Sequence, residues 1–316
     1  MAKRRQQVGL LQQVDEYLTN SELNLDTRAK HFYPTSASCR DSKDELHGAC
    51  LRQVAYDYYS TGKSNPYSAE TMYTFELGRQ IESMYIEIFK RMGIFVGDHI
   101  KFYNPDFHVS GELDMVVRES PGSNVIYGVE CKTSYGDYFK MAQITGRPGV
   151  PPAPKEEHLM QVMMYLDNFP KLPYFKLIYL GRDKFDRTEY TIRLVDLDGD
   201  KFPEITHTDG HTIIDSRFSI ARIYNRYKDL AAYIRNKQLP PRDYRPTMTA
   251  EEMKVALDAG QITKAKMKSF EKGDIKTADW RCRYCNHKNL CRAMDEGIVE
   301  NFVERFTAGE FLTLTT

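Results

Sequence analysis

Long apolar runs are missing from this chain of 316 residues, and so is an excess of charge of either sign. No stretch is long and apolar enough to cross a bilayer, which argues against a membrane-spanning helix and a membrane partner. The N-terminus has no apolar core of the kind a secretory leader carries, so a cytoplasmic setting is expected. Lys plus Arg total 44 and Asp plus Glu total 44, so net charge does not announce a polyanionic partner. The charge is unevenly placed all the same: Lys3-Arg4-Arg5 and the stretch from Lys264 to Arg292 are basic. Cysteine is scarce, at six residues. In a cytoplasmic protein these are expected as reduced thiols or metal ligands rather than a disulfide framework. No internal repeat and no long low-complexity tract interrupts the sequence.

The stretch from Gly111 to Lys132 stands out from this background. It reads as a β-hairpin with a first strand over 107–117, turn formers at Pro121-Gly122-Ser123-Asn124, and a second strand over 125–132. Val125, Tyr127, Val129 and Cys131 form a mostly apolar face. Glu130 and Lys132 share the other, because residues two apart on a strand point the same way. Asp114 joins them only in a register that pairs it with an even-numbered position. A three-residue loop, Pro121 to Ser123 or Gly122 to Asn124, gives that register, and a one-residue slip would turn Asp114 away. We therefore expect a three-residue loop, or an equivalent bulge. Asp114, Glu130 and Lys132 then form one patch: two hard carboxylates suited to Mg²⁺ or Mn²⁺, with an ammonium that positions water or offsets phosphate charge. Taken alone, the same residues are also an ordinary ion-paired strand face.

Residues 8–18 read as a short amphipathic helix, and 50–59 as a helix with Leu51, Val54 and Tyr58 at helical spacing. Ser64-Asn65-Pro66 breaks the chain before a long helix over 69–92, whose stripe is Tyr73, Leu77, Ile81, Tyr85, Ile88 and Phe89. Glu82 lies beside that stripe, one turn after Gly78, where a missing side chain would let another backbone approach. Residues 133–154 read as a long irregular loop. Its Tyr135, Tyr138, Phe139, Lys140 and Arg147 are suited either to stacking on bases and touching a polyanion or to packing the loop down. A helix over 156–167 buries Leu159, Val162, Met163 and Leu166, and Gln161 and Tyr165, four apart, share a different face. Strands are expected over 174–180 and 189–195 and a helix over 218–236. A proline-rich linker over 238–246 and a short helix over 250–257 follow.

Cys282 and Cys285, with Cys291 six residues on, have a spacing that packing explains poorly and a metal or cluster explains well. A fourth ligand is needed. His287 would complete a zinc site and Cys50 an all-cysteine iron–sulfur site. Cys39 is a weaker candidate, and Cys131 is expected to face the core.

Taken in order, Cys50 with Arg52, Gly78 with Glu82, Gly111 to Asp114, Glu130-Cys131-Lys132, Gln161 with Tyr165, and Cys282, Cys285 and Cys291 resemble the RecB-like nucleases of the PD-(D/E)XK superfamily. The pattern is closest to the iron–sulfur branch that includes CRISPR-associated and AddB-type exonucleases. It spans roughly residues 35 to 292 and fits a stand-alone phage exonuclease as well. The resemblance implies an α/β fold: a mixed central β-sheet flanked by helices, restriction-endonuclease-like, with a C-terminal cysteine-cluster segment. It implies a nuclease core over 31–240, an N-terminal helical accessory segment over 1–30, and a cluster segment over 241–316 packing back on the core.

The implied activity is Mg²⁺- or Mn²⁺-dependent hydrolysis of DNA phosphodiesters, an exonuclease ahead of an endonuclease, in recombination, repair or degradation of DNA that is single-stranded or has free ends. By the same resemblance Asp114, Glu130 and the Cys131 carbonyl hold the metal, joined by Glu82, which stands where many relatives carry histidine. Lys132 orients or activates water, and Gln161 and Tyr165 support the site and contact DNA. Cys50, Cys282, Cys285 and Cys291 hold a structural [4Fe-4S] cluster, although Asn286 replaces the proline usual after the second cysteine of the pair. Two other readings are a non-catalytic DNA-binding module and a regulator stabilised by Zn²⁺.

Overall fold

The computed structural model describes residues 9–20, 30–61, 63–245, 248–273 and 279–295. Lys3-Arg4-Arg5, Val8 at the start of the first expected helix, Pro246 at the end of the expected linker and the part of the terminal segment beyond Asp295 lie outside them. In chain order the elements are α1 (Leu10–Thr19), β1 (Ser38–Arg40), β2 (Leu46–Gly48), α2 (Leu51–Tyr58), α3 (Ala69–Arg91), β3 (Phe95–Asn104), β4 (Val109–Arg118) and β5 (Ile126–Ser134). After them come α4 (Gly136–Phe139), α5 (Glu156–Asn168), β6 (Phe175–Gly181), β7 (Arg187–Leu197), β8 (Asp200–His207), β9 (Thr212–Ile214) and α6 (Ile220–Arg235). Last are α7 (Ala250–Asp258), α8 (Lys264–Glu271), α9 (Trp280–Arg283) and α10 (Lys288–Asp295). The protein is α/β, and among the described residues no helix is long and apolar enough to cross a membrane.

Two compact units are interleaved along the chain. One comprises Arg28–Ala49 and Ala69–Ala232, and the other comprises Met1–Thr27, Cys50–Ser68 and Tyr233–Thr316.

The first unit is built on a seven-stranded sheet in simple sequence order, β3 to β9. All neighbours are antiparallel except β5 and β6, which run parallel and are joined through α5. A parallel pair needs such a crossover, whereas the antiparallel neighbours need only turns. The odd face of the β4–β5 hairpin is apolar as expected. Met115, Val117 and Val129 pack with Ile86 and Ile94, and Tyr85, Phe89 and Cys131 lie against them. The register pairs Met115 with Val129 and Val117 with Tyr127, so odd meets odd and Asp114 shares the parity of Glu130. The turn closes with Ser123 N–H on the Ser120 carbonyl at 3.0 Å.

Four expectations are corrected. Tyr73 and Leu77, placed on the buried stripe of α3, are exposed; burial on that helix centres on Met72 and Ile86. Gly78 meets no backbone, its nearest neighbour being Thr133 Oγ1 at 4.0 Å from an added Cβ. The stretch read as an irregular loop continues β5 to Ser134, then forms α4 and a π-helical turn over Lys140–Thr145. Helix α5 has no open polar face, for every residue from Leu159 to Leu166 is buried.

In the second unit, α2 and α10 share an apolar cluster of Tyr56, Tyr59, Leu290 and Ala293, with Ile234 and Leu239 against it. The start of α2 is tied to the 240–243 segment: Leu51 N–H donates to Asp243 Oδ2 at 2.7 Å, and Arg52 Nε donates to the Pro240 carbonyl at 2.7 Å.

Candidate active site

Backbone pairing between β4 and β5 runs from Arg118–Ile126 to Met115–Val129. One step further, side-chain chemistry takes over. Asp114 Oδ2 accepts the Cys131 N–H at 2.9 Å, doing the work of a ladder carbonyl. Glu130 is 0% exposed. Its Oε1 meets Lys132 Nζ at 2.6 Å and accepts from Gln161 Nε2 at 2.8 Å. Gln161 also donates to the Tyr165 hydroxyl at 2.8 Å, and that hydroxyl donates to the Glu112 carbonyl at 2.9 Å. The chain Lys132–Glu130–Gln161–Tyr165–Glu112 thus joins β5 to α5 and back to β4.

Gln161 and Tyr165 are 4% and 2% exposed. Tyr165 packs its ring against Phe102 and Phe175. The two are buried supports of Glu130, which corrects the expected separate, open face.

Among the described residues, two carboxylate oxygens are buried without a hydrogen-bond partner: Glu130 Oε2 and Glu82 Oε1. His99 Nε2 lies 3.9 Å from the latter and its Nδ1 bonds Glu112 Oε1 at 2.7 Å. Burial and the neighbouring Asp114 charge push Glu82 up to about 7 despite opposition from His99 and Lys132. The same two causes push Glu130 up to about 8, although Lys132 pulls the other way. Burial raises Asp114 too. Burial works against the Lys132 charge, but Glu130 and Asp114 together raise its pKa. His158, close enough to feel Lys132 and bonded to the Tyr179 hydroxyl at 3.0 Å, is pushed well down by burial and stays neutral.

Leaving a buried carboxylate oxygen unpaired costs free energy. Two such oxygens near a third carboxylate are hard donors of the kind Mg²⁺ or Mn²⁺ takes, and a dication would relieve them. Sequence reading passed over His99 and Glu112. The one local sign at His99 is its backbone, held at φ 48° within β3, a region non-glycine residues rarely occupy. A second cluster, Asp41, Glu45 and His47, brings its ligand atoms within 4.8 Å of one another and is partly engaged already. His47 bridges Asp41 at 3.4 Å and Glu156 at 3.0 Å, and Asp41 Oδ1 caps the N–H groups of Lys43 and Glu45.

In the second unit Cys50, Cys282, Cys285 and Cys291 line one cavity with Arg52, Arg242, Arg281 and Lys288. Burial pushes Cys282 and Cys285 up to about 12, and each also feels the thiols of Cys50 and Cys291. Arg242 Nε donates to Cys291 Sγ at 3.0 Å, and the His287 N–H donates to Cys285 Sγ at 3.4 Å. Four thiols ringed by cations fit a polythiolate metal centre, whose net charge is negative. His287 is committed elsewhere: Nε2 bonds Asp57 at 2.9 Å and Nδ1 bonds Thr61 Oγ1 at 3.3 Å. Cys39 belongs to the first unit, buried, with its thiol on the Arg217 carbonyl at 3.9 Å. Cys131 lies against the apolar cluster beneath the hairpin.

No protein-family model and no curated protein matches the sequence. Among solved structures, the crystal structure of SSO0001 is similar over 90% of this chain and 97% of its own, with 14% identity and a TM-score of 0.43. A likeness this loose carries no argument about function.

Proposed function

We propose that the chain is a metal-dependent DNA nuclease of the RecB-like, restriction-endonuclease-like type, an exonuclease acting in DNA recombination, repair or degradation. The observation that carries this reading is the pair of buried oxygens of Glu82 and Glu130 that lack a hydrogen bond among the described residues, near Asp114. Asp114, Glu130, Glu82 and the Cys131 carbonyl would hold Mg²⁺ or Mn²⁺, which supplies Lewis acidity toward a phosphate oxygen. Lys132, an ammonium beside Glu130, would offset the negative charge that grows on the phosphate oxygens in the transition state. Gln161 fixes the Glu130 carboxylate, and Tyr165 fixes Gln161.

The four thiols would hold a structural [4Fe-4S] cluster. Engagement of both His287 nitrogens supports a set of four cysteines over three cysteines and histidine. Reduced thiols of this kind go with a cytoplasmic setting.

The test uses end-labelled and circular DNA, single- and double-stranded, with Mg²⁺ or Mn²⁺ and with chelator. Cleavage is expected only with metal, and release of mononucleotides from ends would establish an exonuclease. Asp114→Ala should lower the rate by about a thousandfold or more with the fold intact. Lys132→Ala should lower kcat more than it raises KM. Full activity in Asp114→Ala would sink the assignment.

A further inference from the structure

Residues 135–150 leave the C-terminal end of β5, directly after the strand that carries Glu130 and Lys132. Strand β6 runs parallel to β5, and the carboxyl ends of parallel strands are where open α/β sheets receive ligands. The segment is pinned from beneath. Phe139 is buried against Tyr179, and the Gln143 carbonyl accepts the Tyr190 hydroxyl at 2.5 Å. Two rings on the same segment are left outside: Tyr135 and Tyr138 are 68% and 67% exposed.

Each exposed ring has a guanidinium over it. Arg182 Cζ lies 5.7 Å from the Tyr135 centroid, and Arg147 Cζ lies 5.2 Å from that of Tyr138. Both arginines are held in place. Arg147 and Val150 exchange backbone bonds of 2.8 Å around Pro148-Gly149. Gly149 at φ 74° supplies the positive φ that the third position of a type II turn demands. Arg182 donates to Thr74 Oγ1 at 2.7 Å and to the Ser134 carbonyl through its backbone N–H at 2.8 Å. Its Nε is buried and has no hydrogen-bond partner among the described residues. The nearby lysines are paired already: Lys140 with Asp186 at 3.4 Å, and Lys184 with Asp137 at 2.9 Å.

An exposed tyrosine by itself means little. Two of them, each with an arginine, on an anchored segment beside the carboxylate site, match the chemistry of a single strand: flat apolar bases and phosphates at alternating positions. A duplex hides its base faces and offers the rings nothing to stack on. We propose that Tyr135 and Tyr138 are a stacking platform for the unpaired bases of single-stranded DNA, with Arg147 engaging its phosphates and Arg182 bracing the Tyr135 ring. As a substrate-holding device this rests on the nuclease reading; as a binding surface it does not.

The experiment measures fluorescence anisotropy of labelled oligodeoxythymidine, a duplex of equal length and the matching RNA against the full chain. It is run in chelator so that nothing is cut, over a series of salt concentrations. Tyr135→Ala and Tyr138→Ala should each weaken single-strand binding about tenfold, with the Phe variants close to wild type, because stacking needs the ring and not the hydroxyl. Arg147→Ala should flatten the dependence of log affinity on log salt by about 0.7. Unchanged affinity in both Ala variants, an equal loss on duplex, or a wild-type protein that ignores the single strand would overturn the platform. Tighter binding to RNA would overturn the assignment to DNA. A wild-type protein that binds through these tyrosines yet cuts no DNA with Mg²⁺ or Mn²⁺ defeats the nuclease reading and leaves the platform standing. One that cuts DNA with both Ala variants binding normally defeats the platform alone.

Discussion

Glu130 spends one carboxylate oxygen on Lys132 and Gln161, and the other has no hydrogen-bond partner among the described residues. That asymmetry has a consequence for pH. Glu82 and Glu130, ordinarily near 4.5, are raised to about 7 and about 8 in the folded chain. Between the ordinary value and these raised values, the folded metal-free protein binds more protons than the unfolded chain. Its stability therefore falls as pH rises through that window. A dication competes with those protons, so its stabilising effect grows in the same direction. The melting temperature in chelator should drop between about pH 5 and about pH 8.5, and Mn²⁺ should restore it at the upper end far more than at the lower. A metal effect that is flat across this range would remove the carboxylates from the metal site.

At the scale of elements, α5 shows where periodicity misleads. Leu159, Val162, Met163 and Leu166 mark a stripe, and the amphipathic rule then places Gln161 and Tyr165 on a wetter face. Neighbours cover the helix on both sides, so the polar pair is buried and earns its place through hydrogen bonds. Tyr165→Phe should cost about 1 kcal/mol for the lost hydroxyl, and Tyr165→Ala about 3–5 kcal/mol, measured by denaturant unfolding. A Tyr165→Ala chain as stable as wild type would restore the open-face reading. The hairpin was legible because one loop choice decides the parity of every residue on it, and the register has that parity. Strands β3, β8 and β9 were not legible. β3 and β9 are the sheet edges, and β8 alternates half-buried with buried positions, so none needs the apolar density that announces a central strand.

For the molecule as a whole, the second unit is assembled from pieces far apart in sequence, Cys50–Ser68 with Tyr233–Thr316. Closing so long a loop costs entropy. A metal centre joining Cys50 to Cys282, Cys285 and Cys291 would return that cost as folding free energy. Cys50→Ser and Cys285→Ser should therefore both bleach the visible absorption expected of thiolate-bound iron and expose the terminal segment to protease. His287→Ala should leave the absorption in place while lowering stability, since it breaks the bonds to Asp57 and Thr61. A colourless wild-type protein that releases zinc on His287→Ala would replace the cluster with the zinc alternative.

Whatever depends on neighbours along the chain was determined by the sequence alone. The strand alternation puts Glu130 and Lys132 on one face, and the parity expected of the hairpin brings Asp114 to it. Whatever depends on desolvation was decided by the tertiary structure. Which carboxylate oxygens lack partners among the described residues, that Cys50 lines one cavity with the three later cysteines, that both His287 ring nitrogens are hydrogen-bonded, and that Phe139 is buried while Tyr138 beside it is exposed all follow from atoms contributed by distant segments. Burial is a property of those surroundings and not of the residue, so no local pattern records it.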